Sequence, residues 1–481
     1  MSAPDSMIRD DSAAAERAAV DAVVERARVA QLRFEREADQ ALLDRAALAA
    51  AWALMEPDRN AALSQMAVEA TGLGRVPDKI RKNHRKTLGL LRDIAGVATT
   101  GVVSDEPENG ITELARPVGV VGAVVPSTNP AATPTNNVIN ALKCGNAIVL
   151  APSPAGASVC EALISHIHNE FDRIGVDRDL VQMLPMPPSK VKTQQLMETV
   201  DLVIVTGSQD NVRRAYASGT PAIGVGAGNA TVIVDETADL AAAANKIAAS
   251  KTFDNATSCS SENQLIVVES VRGQLLDELY KAGGRLLGES DAARLKESLF
   301  QDGKLNRHLI AKDIDQFLEV SGVTVEDAES ALFVLLEGQG VGPAYPESGE
   351  KLSLALTLFT VRDMASAMTL ASELLTHQGA GHSVGIHTSD DSRAMDLAKY
   401  LPTCRVIVNQ AHCFATGGSF DNGLPFSLSM GCGSWGGNSI DDNLNYTNFL
   451  NRTRVVRPIV AVEPALEDVF ADYWRDSGQS S

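Results

Sequence analysis

Apolar and polar positions follow two different periods along the chain, and the places where the period changes mark its organisation. Residues 12–55 are rich in alanine and charge. Ala19, Val23, Ala27, Ala30 and Leu32 recur near helical spacing, which predicts amphipathic helices. Packing on their own domain is the expected role, and a docking or encapsulation helix is the alternative. A second helical stretch is expected over 60–96. It carries Lys79, Arg81, Lys82, Arg85 and Lys86, a run expected to form a solvated helix face, with phosphate holding as the alternative.

From residue 118 the pattern changes. The runs VGVVGAVVP (118–126), AIVLAP (147–152), DLVIVTG (201–207) and ATVIVDE (230–236) are continuous and rich in β-branched residues, as strands buried on both faces are. Helical stretches over about 135–144, 156–171, 190–199 and 210–217 separate them, so βαβ units and a nucleotide-binding domain are expected. A second alternating set runs from NQLIVVES (263–270) through a helix at 271–286 to ALTLFTV (355–361), SVGIHTS (383–389) and RVIVNQ (405–410). ITELARPVG (111–119) and TRVVRPIVAVEP (453–464) are strand-like and polar at alternate positions. They are expected to pair with each other or with another subunit. The fold class is therefore α/β.

The net charge of −19 argues against a general affinity for nucleic acid or anionic membranes, so neither partner is expected. No apolar run reaches the ~20 residues of a membrane span. The N-terminus lacks the basic start and apolar stretch of a secretory signal. The six cysteines form no CxxC pair and no histidine cluster has zinc spacing. Reduced thiols, no metal and a cytoplasmic location are expected.

The segment SKTFDNATSCSSEN (250–263) sets Cys259 among small polar residues just before a strand. A thiol there is accessible, whereas Cys144 and Cys160 sit among apolar neighbours. FDNATSCSSEN resembles the nucleophile segment of CoA-acylating aldehyde dehydrogenases. In the same order, EATGLGRVPDKIRKNH (69–84), PSTNPAATPTNNVINALKCGNAIVLAPSP (126–154), PAIGVGAGNATVIVDETADL (221–240), GAGHSVGIHT (379–388) and LSMGCGSWGGNSIDDNL (428–444) resemble other segments of that family. The resemblance covers about residues 60–455 and is near the aldehyde dehydrogenase half of bifunctional aldehyde–alcohol dehydrogenases. No alcohol domain follows, so the reaction is expected to stop at the aldehyde.

The resemblance implies an aldehyde dehydrogenase fold. A cofactor-binding domain is expected over 1–240, with a strand extension at about 105–117. A catalytic domain follows over 241–430, and a C-terminal return and oligomerisation extension over 431–481. A homodimer or homotetramer is implied. Cys259 would be the nucleophile, Asn129 a donor to the developing oxyanion with the Cys259 backbone N–H, and His382 a proton shuttle. Ser127, Thr128, Pro152, Ser153, Gly207, Ser208, Gly226 and Gly228 would hold the cofactor, and Glu350 its nicotinamide ribose. Hydrolytic relatives activate water with a Glu in a Glu-Leu-Gly-Gly-Lys segment; here Gly224-Val225-Gly226-Ala227-Gly228-Asn229 carries no carboxylate. The thioester would then await a coenzyme A thiol. Pro152, Ser153 and Pro154 leave NADP and NAD both open. Arg81, Lys82 and Lys86 are candidates for CoA.

VNQAHCFATGGSFDNGLPFSLSMG (408–431) is similar to the corresponding segment of acylating sulfoacetaldehyde dehydrogenases. Asn409, His412, Thr416 and Asn422 are the expected donors to a sulfonate, which accepts at three oxygens. A plain short aldehyde such as acetaldehyde is the alternative. A hydrolytic aldehyde dehydrogenase and a glutamyl-phosphate reductase-like enzyme are further ones, and a shell-associated protein without activity is a non-enzymatic one.

Overall fold

The computed structural model describes residues 3–301 and 303–479. Two all-parallel sheets organise them. The first has five strands in the order Val181–Met183, Ala147–Pro152, Val120–Val125, Leu202–Val205, Ala222–Gly224. Winding starts at Val120–Val125 and proceeds to either side, which makes a switch point beside that strand. Every residue of its two longest strands is buried, which is why they read as unbroken apolar runs.

The second sheet has seven strands in the order Gly284–Leu286, Phe333–Glu337, Ala355–Val361, Glu262–Val268, Ala230–Val234, Val384–His387, Val406–Val408. The run at 230–236, grouped above with the first set, belongs here: Ala230–Val234 pairs with both Glu262–Val268 and Val384–His387. The chain therefore passes from one sheet to the other at 225–229, ahead of the boundary expected at 240. Periodicity marks a strand as buried without telling which sheet it joins. Likewise, the helix expected over 271–286 ends as Arg272–Lys281, and 284–286 is an edge strand.

The helix Ala3–Glu37 lies on the first sheet and buries Val20, Val23, Val24, Ala27, Ala30 and Phe34 in its core. Each large apolar side chain buried in this way contributes about 1.5–3 kcal/mol, so the segment is a structural part of its own domain. Leu32 alone of the expected apolar stripe faces outward. The stretch at 60–96 is two helices, Pro57–Thr71 and Val76–Ile94, parted by Gly72 and Gly74 in the left-handed region.

A third, antiparallel sheet joins Gly101–Glu106, Ile111–Pro117 and Leu450–Val456, so the two alternating segments pair with each other. Beyond it the chain runs exposed to the helix Leu466–Ser477, with Val460 at 85% and Val462 at 87% exposure.

The main sheets meet end to end. Residues following the first sheet's strands (Ser127, Ser153, Gly207, Gly226) and residues preceding the second sheet's strands (Cys259, Glu350) line one cavity of about 1000 Å³.

Candidate active site

Cys259 stands at the wall of this cavity, half-buried, in the loop between the helix Leu240–Thr252 and the strand Glu262–Val268. Three consecutive residues of this loop, Asp254, Asn255 and Ala256, have φ of 50°, 52° and 60°. Left-handed backbone costs a non-glycine residue roughly 1–2 kcal/mol, so the turn needs external support. The fully buried Asp254 carboxylate supplies it. It accepts from Lys79 Nζ (3.1 Å), Lys82 Nζ (2.5 Å), Thr257 Oγ1 (2.8 Å) and the Arg75 backbone N–H (2.7 Å). Burial works to raise this carboxyl, but Lys82 and Lys79 hold it below the usual carboxylate range. Gly74 is needed beside it, since a Cβ there would sit 2.0 Å from Asp254 Oδ1.

Lys82 also donates to Asn129 Oδ1 at 2.8 Å. With its oxygen engaged, the Asn129 carboxamide turns its Nδ2 donor away from the lysine; both Asn129 and Cys259 line the cavity. Lys79 donates in addition to the Thr128 carbonyl at 3.1 Å. One helix, Val76–Ile94, thus ties the loop after the strand Val120–Val125 to the nucleophile loop.

The basic run does not form a solvated face. Lys79, Lys82 and Lys86 are buried, while Arg81 is exposed. The three buried lysines are spaced i, i+3, i+7, one face of a helix, and that spacing is the signal that would have separated them from Arg81. Lys86 Nζ donates to the carbonyls of Gly417 (2.5 Å) and Ser427 (3.0 Å). Burial, then Arg85, pulls Lys86 down to about 7.

His382 Nε2 is 3.3 Å from Cys259 Sγ, and Nδ1 is 2.7 Å from Ser383 Oγ. With Nδ1 donating to the serine, Nε2 is left to accept the thiol proton. Burial, then Arg405 and His412, depress the imidazole to about 3. Burial, with Glu350 and Cys432 next, pushes the Cys259 thiol up to about 12 against the pull of its own backbone N–H. Both groups are therefore neutral at rest. Cys144 and Cys160 are fully buried in the first core.

The other sequence-derived residues divide into two sets. Ser127, Thr128, Pro152, Ser153, Gly207, Ser208, Gly226, Gly228 and Glu350 all line the cavity. Ser208 caps the helix Gln209–Tyr216, leaving an anion-friendly N-terminus behind Gly207. The crossing segment fits tightly: a Cβ on Gly228 would lie 2.2 Å from the Cys259 carbonyl, and one on Gly226 2.7 Å from Cys432 Sγ. Burial raises Glu350 to about 8, and its Oε1 is buried without a partner. An unpartnered carboxyl oxygen at the cavity wall fits a ribose hydroxyl, so strand ends, capped helix and Glu350 together suit a dinucleotide.

The four expected sulfonate donors are not in the lining, and that expectation is corrected. Asn409 bonds the backbone N–H and carbonyl of Thr388 (3.0 and 2.7 Å). His412 faces the Ser260 carbonyl through Nδ1 (2.8 Å), and burial holds it near 4, so it is uncharged. Thr416 Oγ1 donates to the His412 carbonyl (2.8 Å), and Asn422 satisfies backbone groups of Ala415, Ser419 and Leu424. Thr416 and Asn422 serve their own loop, while Asn409 and His412 tie it to Thr388 and to Ser260. The residues that do line the cavity from this region are Cys413, Phe414, Gly417, Ser427, Leu428 and Met430.

Comparison with known proteins agrees with this architecture. The aldehyde dehydrogenase family profile matches residues 6–294. An acylating sulfoacetaldehyde dehydrogenase of Cupriavidus necator is 55% identical over 98% of this chain and 95% of its own length. An acetylating aldehyde dehydrogenase from Geobacillus thermoglucosidasius superposes with a TM-score of 0.90 at 33% identity, covering 94% of this chain and 99% of that one. A propionaldehyde dehydrogenase of Rhodopseudomonas palustris, solved with bound CoA and an acylated cysteine, gives a TM-score of 0.81 at 26% identity over 91% of this chain and 97% of its own. From its two end-to-end sheets, its cysteine–histidine pair and these likenesses, the chain belongs to the aldehyde dehydrogenase family, in its acylating branch.

Proposed function

We propose that this protein interconverts sulfoacetaldehyde and sulfoacetyl-CoA, taking sulfoacetaldehyde, CoA and NADP+ to sulfoacetyl-CoA, NADPH and a proton. The contact between His382 Nε2 and Cys259 Sγ carries the chemistry. The 55% identity to an enzyme of that name supports the substrate.

Cys259 Sγ adds to the aldehyde carbon as its proton passes to His382 Nε2. The new oxyanion accepts from Asn129 Nδ2, oriented by Lys82, and from the Cys259 backbone N–H. Gly207, Ser208, Gly226 and Glu350 hold a nicotinamide cofactor, which supplies the hydride acceptor when bound. Loss of hydride from the tetrahedral carbon leaves an acyl group on Cys259. His382 releases that first proton to solvent. The segment 224–229 presents no carboxylate to activate water, so the thioester persists until the CoA thiol attacks it, its proton passing through His382 to the departing Cys259 sulfur. NADP is the proposed form of the cofactor because Pro152, Ser153 and Pro154 put no acidic side chain in the lining there.

A homodimer or homotetramer is part of the same proposal. Residues 457–479 are exposed along almost their whole length and carry Val460, Val462, Leu466 and Phe470 outward, a surface that a second copy covers. No helix among the described residues is long and apolar enough to cross a membrane.

The test follows reduced nicotinamide by absorbance, with wild type and Cys259→Ala, with and without CoA. CoA-dependent reduction, preferring sulfoacetaldehyde over acetaldehyde and lost in the variant, is the expected result. Turnover without CoA would overturn the acyl-transfer step, and a preference for acetaldehyde would overturn the substrate.

A further inference from the structure

Arg85 and Lys86 both line the cavity, and neither pairs directly with a carboxylate among the described residues; Asp421 meets Arg85 only through the Ser419 hydroxyl, which accepts from Arg85 and donates to Asp421. Arg85 Nη2 donates to the carbonyls of Phe414 (3.0 Å) and Gly418 (3.3 Å) and to Ser419 Oγ (2.9 Å). Its Nε and Nη1 make no hydrogen bond among the described residues. The guanidinium lies 5.3 Å from the Phe414 ring centroid and 5.4 Å from that of Phe426, and Lys86 Nζ lies 5.6 Å from the latter. Lys86 is 7% exposed and bonded to two carbonyls. Gly417 is open enough to admit it, since a Cβ there would meet Lys86 Nζ at 2.5 Å. Lys79 and Lys82 differ, because both pair with the Asp254 carboxylate.

Arg85 is half-buried and Lys86 buried, and an anion arriving beside them would stabilise the charged form of both. We propose that Arg85 and Lys86 form the anion subsite that holds the substrate's sulfonate, with the unpaired Arg85 N–H groups and the Lys86 ammonium donating to its oxygens. This rests on the sulfoacetaldehyde reading above.

Position decides between a sulfonate and the phosphates of CoA. The sulfur of sulfoacetaldehyde is two bonds from the carbonyl carbon, so its oxygens must sit close to Cys259 Sγ. The phosphates of CoA lie far along the molecule from its thiol. Lys82 touches Thr257, two residues before Cys259 (3.0 Å), and Lys86 is the next turn of the same helix, about 5–6 Å along it. Lys86 and Cys259 each bias the other's ionisation. The subsite is thus beside the nucleophile. The guanidinium, stacked on Phe414 and pinned at one nitrogen, presents a fixed fork of donors to a group that accepts at three oxygens.

The experiment measures kcat/KM for sulfoacetaldehyde and for propionaldehyde, and KM for CoA, in wild type, Arg85→Met, Arg85→Lys and Lys86→Met. The expected result is a fall of at least about 100-fold in the sulfoacetaldehyde-to-propionaldehyde ratio for Arg85→Met. Lys86→Met is expected to follow in the same direction, with part of the ratio restored by Arg85→Lys. In parallel, ethanesulfonate should slow alkylation of Cys259 by iodoacetamide in wild type and have no such effect in Arg85→Met. A wild type that uses sulfoacetaldehyde while Arg85→Met lowers both aldehydes alike would overturn the subsite. So would a rise in KM for CoA with either aldehyde while the ratio holds. A wild type that rejects sulfoacetaldehyde yet is protected by ethanesulfonate would overturn the substrate proposal and leave the anion subsite standing. Absence of protection in a wild type that turns sulfoacetaldehyde over would overturn the subsite alone.

Discussion

The cofactor end of the cavity is built from strand termini. Ser127, Ser153, Gly207 and Gly226 each follow a buried strand of the first sheet, and what they offer a ligand is mainly backbone and small side chains. The substrate end is built from one helix, Val76–Ile94, and a loop more than 300 residues away, whose carbonyls hold Lys86. The first construction repeats a local pattern, strand then turn then helix. The second exists only after the chain has folded, because the helix does not know which of its faces the distant loop will cover. Sequence pattern therefore places the residues of the first end, and tertiary contact those of the second.

The largest effect is expected from Lys82→Met. Because Lys82 holds both the Asn129 amide and the Asp254 turn, kcat is expected to fall by about 10²-fold or more, while the cofactor end keeps its affinity for NADPH by fluorescence titration. A variant with a lowered melting temperature and full kcat in its folded fraction would reduce Lys82 to a structural role.

A smaller effect concerns acidity. With the thiol near 12 and His382 near 3, no preformed thiolate exists at neutral pH. Iodoacetamide alkylation of Cys259 should therefore rise about tenfold per pH unit between about pH 7 and 9. A plateau in that range would mean that the resting enzyme already holds a thiolate–imidazolium pair.

The smallest effect is expected at the loop residues. Asn409→Ala removes two hydrogen bonds to Thr388 and should lower stability by about 1–3 kcal/mol, read from denaturant midpoints, with kcat/KM for sulfoacetaldehyde within about twofold of wild type. A large specificity change there would return the sulfonate to that loop.

Much of the site could be read before folding. The alternation of buried runs and helices gave the two α/β domains, and a thiol among small polar residues marked Cys259. Ser127, Ser153 and Gly207 each follow a strand that the pattern located, whereas Gly226 and Glu350 entered only through the family resemblance, and all five line the cavity. Two things were not. The run at 230–236 is as apolar as its predecessors, and only its pairing with Glu262–Val268 assigns it to the second sheet. Asn409, His412, Thr416 and Asn422 are polar in sequence because they bond backbone groups, those of Thr388 and Ser260 as well as of their own loop. Meanwhile Arg85 and Lys86 stand in a basic run of the kind that usually faces water. Charge alone does not reveal that Phe414 and Phe426 will pack over it.

The left-handed turn at Asp254, Asn255 and Ala256 has a bearing on how the protein ages in use. Its backbone is held in place by one carboxylate clamped between two lysines, whereas the surrounding sheets are held by their cores. A local opening of this turn would displace Cys259 without unfolding either sheet, a sub-global transition that costs less than melting the cores. Activity would fade while circular dichroism still reports an intact fold, and Ala256→Gly, which removes a side chain from a left-handed position, would be the natural first step toward a more durable enzyme.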